Sequence, residues 1–158
     1  MIRTIIVEDD PMVADLAAGY LERIDGFSLD HTARSAEDAL GLLRACHVDL
    51  VLLDVFMPGM DGMELLRIIK SQFFHTDVIM ITAAQSSEDI LKALRLGVAD
   101  YIVKPFSVRE LMLRVKAVLR RGGRTAESPV LERHGIRLRT EAHSAEVGSD
   151  MLNLTATE

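Results

Sequence analysis

Leu50-Val51-Leu52-Leu53-Asp54 is four aliphatic residues stopped by an acid. An apolar run this short, bounded by turn chemistry, reads as a central strand buried on both faces. The turn follows at once in Met57-Pro58-Gly59-Met60-Asp61-Gly62. The pattern repeats outward in both directions. Thr4-Ile5-Ile6-Val7 ends in Glu8, Asp9 and Asp10; Val78-Ile79-Met80-Ile81 ends in Thr82; Tyr101-Ile102-Val103 ends in Lys104 and Pro105. Strands alternating with helical patterns predict a parallel sheet covered on both faces.

The spacing predicts strands over 3–7, 27–31, 50–53, 78–82 and 101–103, the second less buried than the rest. Helices are expected over 12–24 (ended by Gly26), from Ser35 to about Cys46, after Gly62, over 87–96 and from about Ser107 to Arg121. Ser35 with Asp38 is a capping-box variant. Ser86 or Ser87 caps the fourth helix, and Gly97 is placed to terminate it. Residues 1–121 thus form a five-stranded α/β unit. Residues 122–129 read as a linker. Residues 130–158 change to short β-rich pieces, with strands expected within 134–139, at 145–147 and at 152–154. The capping-box pattern Thr155-Ala156-Thr157-Glu158 comes last.

Composition narrows the class. The 158 residues carry a net charge of −6, which argues against a general nucleic-acid binder. No run approaches the roughly 18 apolar residues of a membrane span. Met1-Ile2-Arg3-Thr4 enters a strand directly, without a signal-peptide pattern. The single Cys46 makes no internal disulfide and suits a reducing compartment. A soluble cytoplasmic protein without membrane attachment is the expectation.

In an open parallel sheet, ligands bind in the crevice at the strand C-terminal ends. Asp9 and Asp54, with Glu8 or Asp10 close by, would converge there and repel. Two like charges about 4 Å apart cost roughly 4 kcal/mol at an effective dielectric near 20. A hard divalent cation such as Mg²⁺ offsets that cost. Asp54 is the candidate nucleophile, since a carboxylate can accept a phosphoryl group. Lys104 and Mg²⁺ would neutralise phosphoryl oxygens, and the Thr82 hydroxyl would donate to another. Each residue also has a plainer role. Asp9 or Asp10 can cap a helix, Thr82 can bond local backbone, and Lys104 can be a solvated surface lysine. Met57, Met60 and Cys46 read as packing residues, and the five histidines show no metal-ligand spacing. The conjunction at one sheet edge outweighs these separate readings.

Taken together, Val7-Glu8-Asp9-Asp10, Leu53-Asp54 through Asp61-Gly62, Ile81-Thr82-Ala83-Ala84 and Asp100-Tyr101-Ile102-Val103-Lys104-Pro105-Phe106 resemble the receiver domain of bacterial two-component response regulators. The resemblance covers residues 1–121. It implies a flavodoxin-like fold, with Asp54 as phosphoacceptor and a sensor histidine kinase as donor. Asp9 would bind Mg²⁺ directly, Glu8 through water, and the Phe56 carbonyl would complete the protein ligands. Thr82 and Tyr101 would form the switch pair, altering the face over 87–121, and the Lys104–Pro105 peptide would be cis.

The tail is similar to the opening β-sheet of an OmpR/PhoB-type winged-helix DNA-binding domain. The recognition helix is absent from the sequence, so specific DNA binding is not expected of this chain. The resemblance implies a homodimer through the 87–121 face, which Asp100, Glu110 and Arg114 match, together with Lys116 and Arg121. Ile90, Arg95 and Ala99 depart from that pattern, and the fourth helix is more similar to receivers of the citrate-sensing class. Control of transcription is the first functional reading, and a stand-alone receiver acting by phosphorylation-dependent protein binding is the second. A phosphatase of the aspartyl-phosphate class is disfavoured because Phe56 stands where its general acid belongs. No phosphate-binding glycine loop follows the first strand.

Overall fold

The computed structural model describes residues 1–83 and 86–121, and residues 130–133, 136–139, 144–147 and 150–153 of the tail. The expected linker over 122–129, the capping box over 155–158 and Ala84 lie outside the described residues. The chain divides into two compact units, Met1–Val118 and Leu119–Glu158.

In the first unit β1 (Ile2–Val7), β2 (Phe27–Ala33), β3 (Leu50–Asp54), β4 (Asp77–Thr82) and β5 (Asp100–Val103) make one parallel sheet in the order β2-β1-β3-β4-β5. The connecting helices are α1 (Pro11–Leu21), α2 (Ala36–Ala45), α3 (Gly62–Gln72), α4 (Ser87–Leu96) and α5 (Val108–Arg121). The central strand β3 is buried at every residue, as its unbroken aliphatic run requires. Ile5, Ile6, Leu52, Leu53, Ile79 and Ile102 are among the fully buried side chains. Each contributes about 1.5–3 kcal/mol of apolar transfer before entropy is counted. Edge strand β2 is mostly half-exposed, in keeping with its polar sequence.

Local chemistry sets the helix ends. Ser35, Asp61 and Ser86 accept from the backbone N–H three residues on, opening α2, α3 and α4. Ser107 does the same for Glu110 at the start of α5. Gly97 ends α4 at φ +89°, a conformation that costs a residue without Cβ little. Helix α1 departs from expectation. It stops at Leu21, not at residue 24, and tightens through Arg23 N–H to Tyr20 O and Ile24 N–H to Leu21 O. Ile24 therefore buries its side chain from a turn, which is why its helical spacing misled. Gly26, at φ +88°, turns the chain into β2.

The second unit contains a four-stranded antiparallel meander: β6 (Val130–Arg133), β7 (Ile136–Arg139), β8 (Ser144–Val147) and β9 (Asp150–Asn153). The last three lie within two residues of the expected strands. Strand β6 was not expected. Its four residues carry no clear alternation alone and are held by pairing with β7, from Val130 opposite Arg139 to Arg133 opposite Ile136. None of the described helices is long and apolar enough to cross a membrane.

Candidate functional site

The strand order reverses direction between β1 and β3, so the crevice of this sheet opens where their C-terminal ends lie side by side. Backbone bonds at the strand ends fix the residues there. Glu8 N–H donates to Ala33 O at 3.0 Å, Val55 N–H to Ile81 O at 3.0 Å, and Lys104 N–H to Thr82 O at 2.8 Å. Glu8, Thr82, Lys104 and the residue after Asp54 are thus tied to neighbouring strands. The Lys104–Pro105 peptide is cis.

Carboxylate oxygens of Glu8, Asp9 and Asp54 all lie within 4.8 Å of one another. Glu8 and Asp54 are buried, and Asp9 is half-buried. Asp10 turns away from this group. Its Oδ1 accepts from Met12 N–H at 2.8 Å and Val13 N–H at 3.4 Å, so it caps α1. The two plausible roles of the acidic run are thereby divided between adjacent residues.

Lys104 enters the cluster from β5. Its ammonium donates to Glu8 Oε2 at 2.8 Å and stands 3.2 Å from Asp54 Oδ1. The second contact is an ion pair without hydrogen-bond alignment, and Asp54 Oδ1 is buried with no hydrogen-bond partner. Burial pushes the Glu8 carboxyl above its ordinary range against the lowering effect of the Lys104 hydrogen bond, and the Asp54 charge adds to the rise. Burial likewise raises Asp54, only partly offset by the Lys104 charge beside it. For Lys104, burial acts downward, but the Glu8 hydrogen bond and the Asp54 charge outweigh it and its pKa is raised.

A buried carboxylate oxygen with no hydrogen bond is costly unless something pairs with it. Three carboxylates with oxygens within 4.8 Å of one another are a hard, all-oxygen donor set, which suits a divalent cation. Phe56 follows in the loop after β3, with its side chain more than half exposed. Its carbonyl is available in sequence position only.

Two features of the site escaped the sequence reading. A Cβ on Gly62 would stand 2.2 Å from Asp54 O and 2.8 Å from Val55 Cα, and Gly62 N–H donates to Val55 O at 2.9 Å. Gly62 is required by close packing against the backbone of Asp54, not by turn conformation. The Tyr20 and Phe106 rings meet edge to face at 6.5 Å, linking α1 to the loop after Lys104.

Thr82 is buried and Tyr101 half-buried, and both line a small cavity of about 20 Å³ between β4, β5 and α4. Val55, Met63, Met80, Asp89, Ile90 and Ala93 complete its walls. That space holds about one water, so any ring entering it must displace its neighbours. Met57 is buried and Met60 packs on the core, as expected of packing residues. Cys46 caps the end of α2 and donates to Leu42 O.

Asp100, Glu110 and Arg114 meet within one chain. Arg114 Nη1 lies 3.1 Å from both Asp100 oxygens, and Nε donates to Glu110 Oε1 at 3.2 Å. Expected as residues of an interface between copies, they are engaged with each other in the single chain. The side chain of Arg121 lies outside the described residues.

With this geometry in hand, comparison with known proteins is specific. The profile of the response regulator receiver domain matches residues 4–116. The transcriptional regulatory protein MalR of Bacillus subtilis is 50% identical over 106 residues, 67% of this chain and 45% of MalR. The heme response regulator HssR of Staphylococcus epidermidis is 37% identical over 158 residues, all of this chain and 69% of HssR. A CheY-like response regulator receiver domain protein from Methanospirillum hungatei superimposes with a TM-score of 0.72 at 28% identity, over 78% of this chain and 97% of that one. The chain spans less than half the length of MalR and about two thirds that of HssR.

Proposed function

The chain belongs to the response regulator receiver domain family, and on that footing we propose that Asp54 accepts a phosphoryl group from a phosphohistidine of a sensor histidine kinase. The observation that carries this reading is the convergence of the Glu8, Asp9 and Asp54 carboxylates, with the Lys104 ammonium 3.2 Å from Asp54 Oδ1. An Asp54 oxygen attacks phosphorus, the P–N bond to the donor imidazole breaks, and the imidazole leaves with the electron pair. Asp9 and Asp54 would hold Mg²⁺ directly, Glu8 through water, with the Phe56 carbonyl as a further ligand. The ion supplies charge neutralisation at the phosphoryl oxygens. Lys104 would neutralise another of those oxygens, loosening its bond to Glu8 to do so. The Thr82 hydroxyl donates to a third.

The protein is read as a regulator, not an enzyme acting on other substrates; its only chemistry is gain and loss of its own phosphoryl group. Phosphorylation adds close to two negative charges. Thr82 is drawn toward them, Tyr101 turns into the space between β4 and α4, and the face over 87–121 changes. Leu91, Leu94 and Leu113 are half-exposed or more there, which suits a partner or a second copy. Transcription control is the assigned output, because MalR is a transcriptional regulatory protein and the response regulator HssR aligns with the whole chain, including residues 130–158. Those residues are read as the start of a winged-helix effector domain, with 122–129 as linker, and DNA binding requires the rest of that domain. The setting is cytoplasmic.

The test is incubation with acetyl phosphate, with and without Mg²⁺, followed by intact mass, with Asp54→Asn alongside. A phosphoryl adduct that needs both Mg²⁺ and Asp54 is expected; an adduct that persists in Asp54→Asn overturns the assignment. Thr82→Ala should still be phosphorylated yet show no phosphorylation-dependent change in size by gel filtration.

A further inference from the structure

The sequence contains two Asp–Gly pairs, Asp25-Gly26 and Asp61-Gly62. In such a pair the side-chain carboxyl can react with the next backbone nitrogen, because glycine puts no Cβ in the way. The fold treats the two pairs oppositely. Asp61 caps α3, its Oδ1 accepting from Glu64 N–H at 2.8 Å. Gly62 N–H donates to Val55 O at 2.9 Å, and Gly62 packs so closely on the Asp54 backbone that a Cβ would overlap Asp54 O. Both reacting groups are held there, and neither can turn toward the other without breaking the start of α3. Asp25-Gly26 has no such restraint. It forms the centre of the turn between α1 and β2, closed by a long bond from Phe27 N–H to Ile24 O at 3.4 Å. Asp25 is exposed. Gly26 stands at φ +88°, with nothing within 4 Å of where a Cβ would be. Among the described residues no backbone carbonyl takes the Gly26 N–H, and the Asp25 carboxylate is left to water. Surface turns of this kind lie at the low-stability end of a fold.

We propose that Asp25 is a site of spontaneous isomerisation to isoaspartate, and that the fold protects Asp61 from the same reaction. The Gly26 nitrogen gives up its proton and attacks Asp25 Cγ. The N–C bond forms, a carboxyl C–O bond breaks and water leaves, closing a succinimide ring. Water then opens the ring. Attack at the side-chain carbonyl restores aspartate. Attack at the backbone carbonyl gives isoaspartate, in which the main chain runs through Cβ and Cγ and is longer by a methylene. No atom is gained or lost overall, and no other reactant is needed. The change is felt at the start of β1, because Gly26 O accepts from Ile2 N–H at 2.7 Å. A lengthened turn displaces that carbonyl. The acidic cluster lies at the other, C-terminal edge of the sheet and is not part of this event.

The experiment is storage of the full chain in ¹⁸O-water at neutral pH for several weeks, with a parallel sample unfolded in urea. Both are then digested in ordinary water and mapped by mass spectrometry, with fragmentation that separates isoaspartyl from aspartyl. Each passage through the succinimide leaves a heavy oxygen behind. In the folded chain, label and isoaspartate should build up at position 25 several-fold faster than at position 61. In urea the two positions should label at similar rates, and Asp25→Glu should lose the label at 25 in both samples. No label at Asp25 in the folded chain overturns the site, as does equal labelling of Asp25 and Asp61 there. A difference that persists in urea belongs to the neighbouring sequence and overturns the protective role of the fold. The stored chain should also unfold at lower urea than fresh chain, with no such shift in stored Asp25→Glu. An isomerised chain with unchanged unfolding would overturn the effect on β1.

Discussion

Lys104 donates to Glu8 at 2.8 Å across 96 positions of sequence, joining the end of β5 to the end of β1 over the top of the sheet. The same ammonium stands 3.2 Å from Asp54. It thus does for two buried carboxylates what a bound cation would do for the whole cluster.

Removing that ammonium should expose the repulsion. Lys104→Met leaves Glu8 and Asp54 facing each other without a positive partner, and loss of one member of a buried ion pair costs about 3–5 kcal/mol. The metal-free variant should unfold at correspondingly lower urea, and added Mg²⁺ should recover much of the loss. A variant as stable as the parent in EDTA would sink this account. Asp54→Asn, by contrast, should leave metal-free stability unchanged or raised.

Stability should also fall as pH rises across the carboxylate window in the absence of metal. Burial raises the Glu8 and Asp54 pKa values above their ordinary range. An acid whose folded value lies above its unfolded value favours the native state while protonated. That contribution is full below the ordinary carboxylate range and is lost as pH climbs through the raised values. Thermal unfolding in EDTA should show this slope, and Asp54→Asn should flatten it; parallel slopes would refute the assignment. Lys104, also raised, holds its contribution until alkaline pH and loses it there.

Asp9 and Asp10 should separate cleanly under mutation. Asp10→Ala removes the cap of α1 and costs about 1 kcal/mol, with Mg²⁺ affinity unchanged. Asp9→Asn removes a charged ligand and should weaken Mg²⁺ about tenfold with little effect on unfolding. Calorimetric titration and urea curves on both variants give the answer, and the reverse pattern would exchange their roles.

Gly62→Ala should damage the site through the backbone. Its new methyl would overlap Asp54 O and Val55 Cα, neither of which is the end of a flexible side chain. A loss of about 2–3 kcal/mol or more is expected, together with weaker Mg²⁺ binding. An alanine variant with parental melting temperature would show that the loop after β3 has room to move.

The sequence by itself determined the order of strands and helices, because the apolar periods, the capping serines and Gly97 act within a few residues. It also determined which chemistry stands at each strand end: acids after β1 and β3, a hydroxyl after β4, an ammonium after β5. Local signals misjudged the end of α1, since Ile24 is buried by packing from a turn, and overlooked β6, which has order only through its partner strand. From the residues alone Asp9 and Asp10 could each cap a helix; the resemblance favoured Asp9 as the ligand, and the structure puts Asp9 in the acidic cluster while Asp10 caps α1. Tertiary structure alone decided that Lys104 hydrogen-bonds Glu8, and that Gly62 must lack a side chain. The Lys104–Glu8 bond and the Asp9–Asp54 approach depend on residues far apart in the chain, set by how the sheet packs, and no local window contains them.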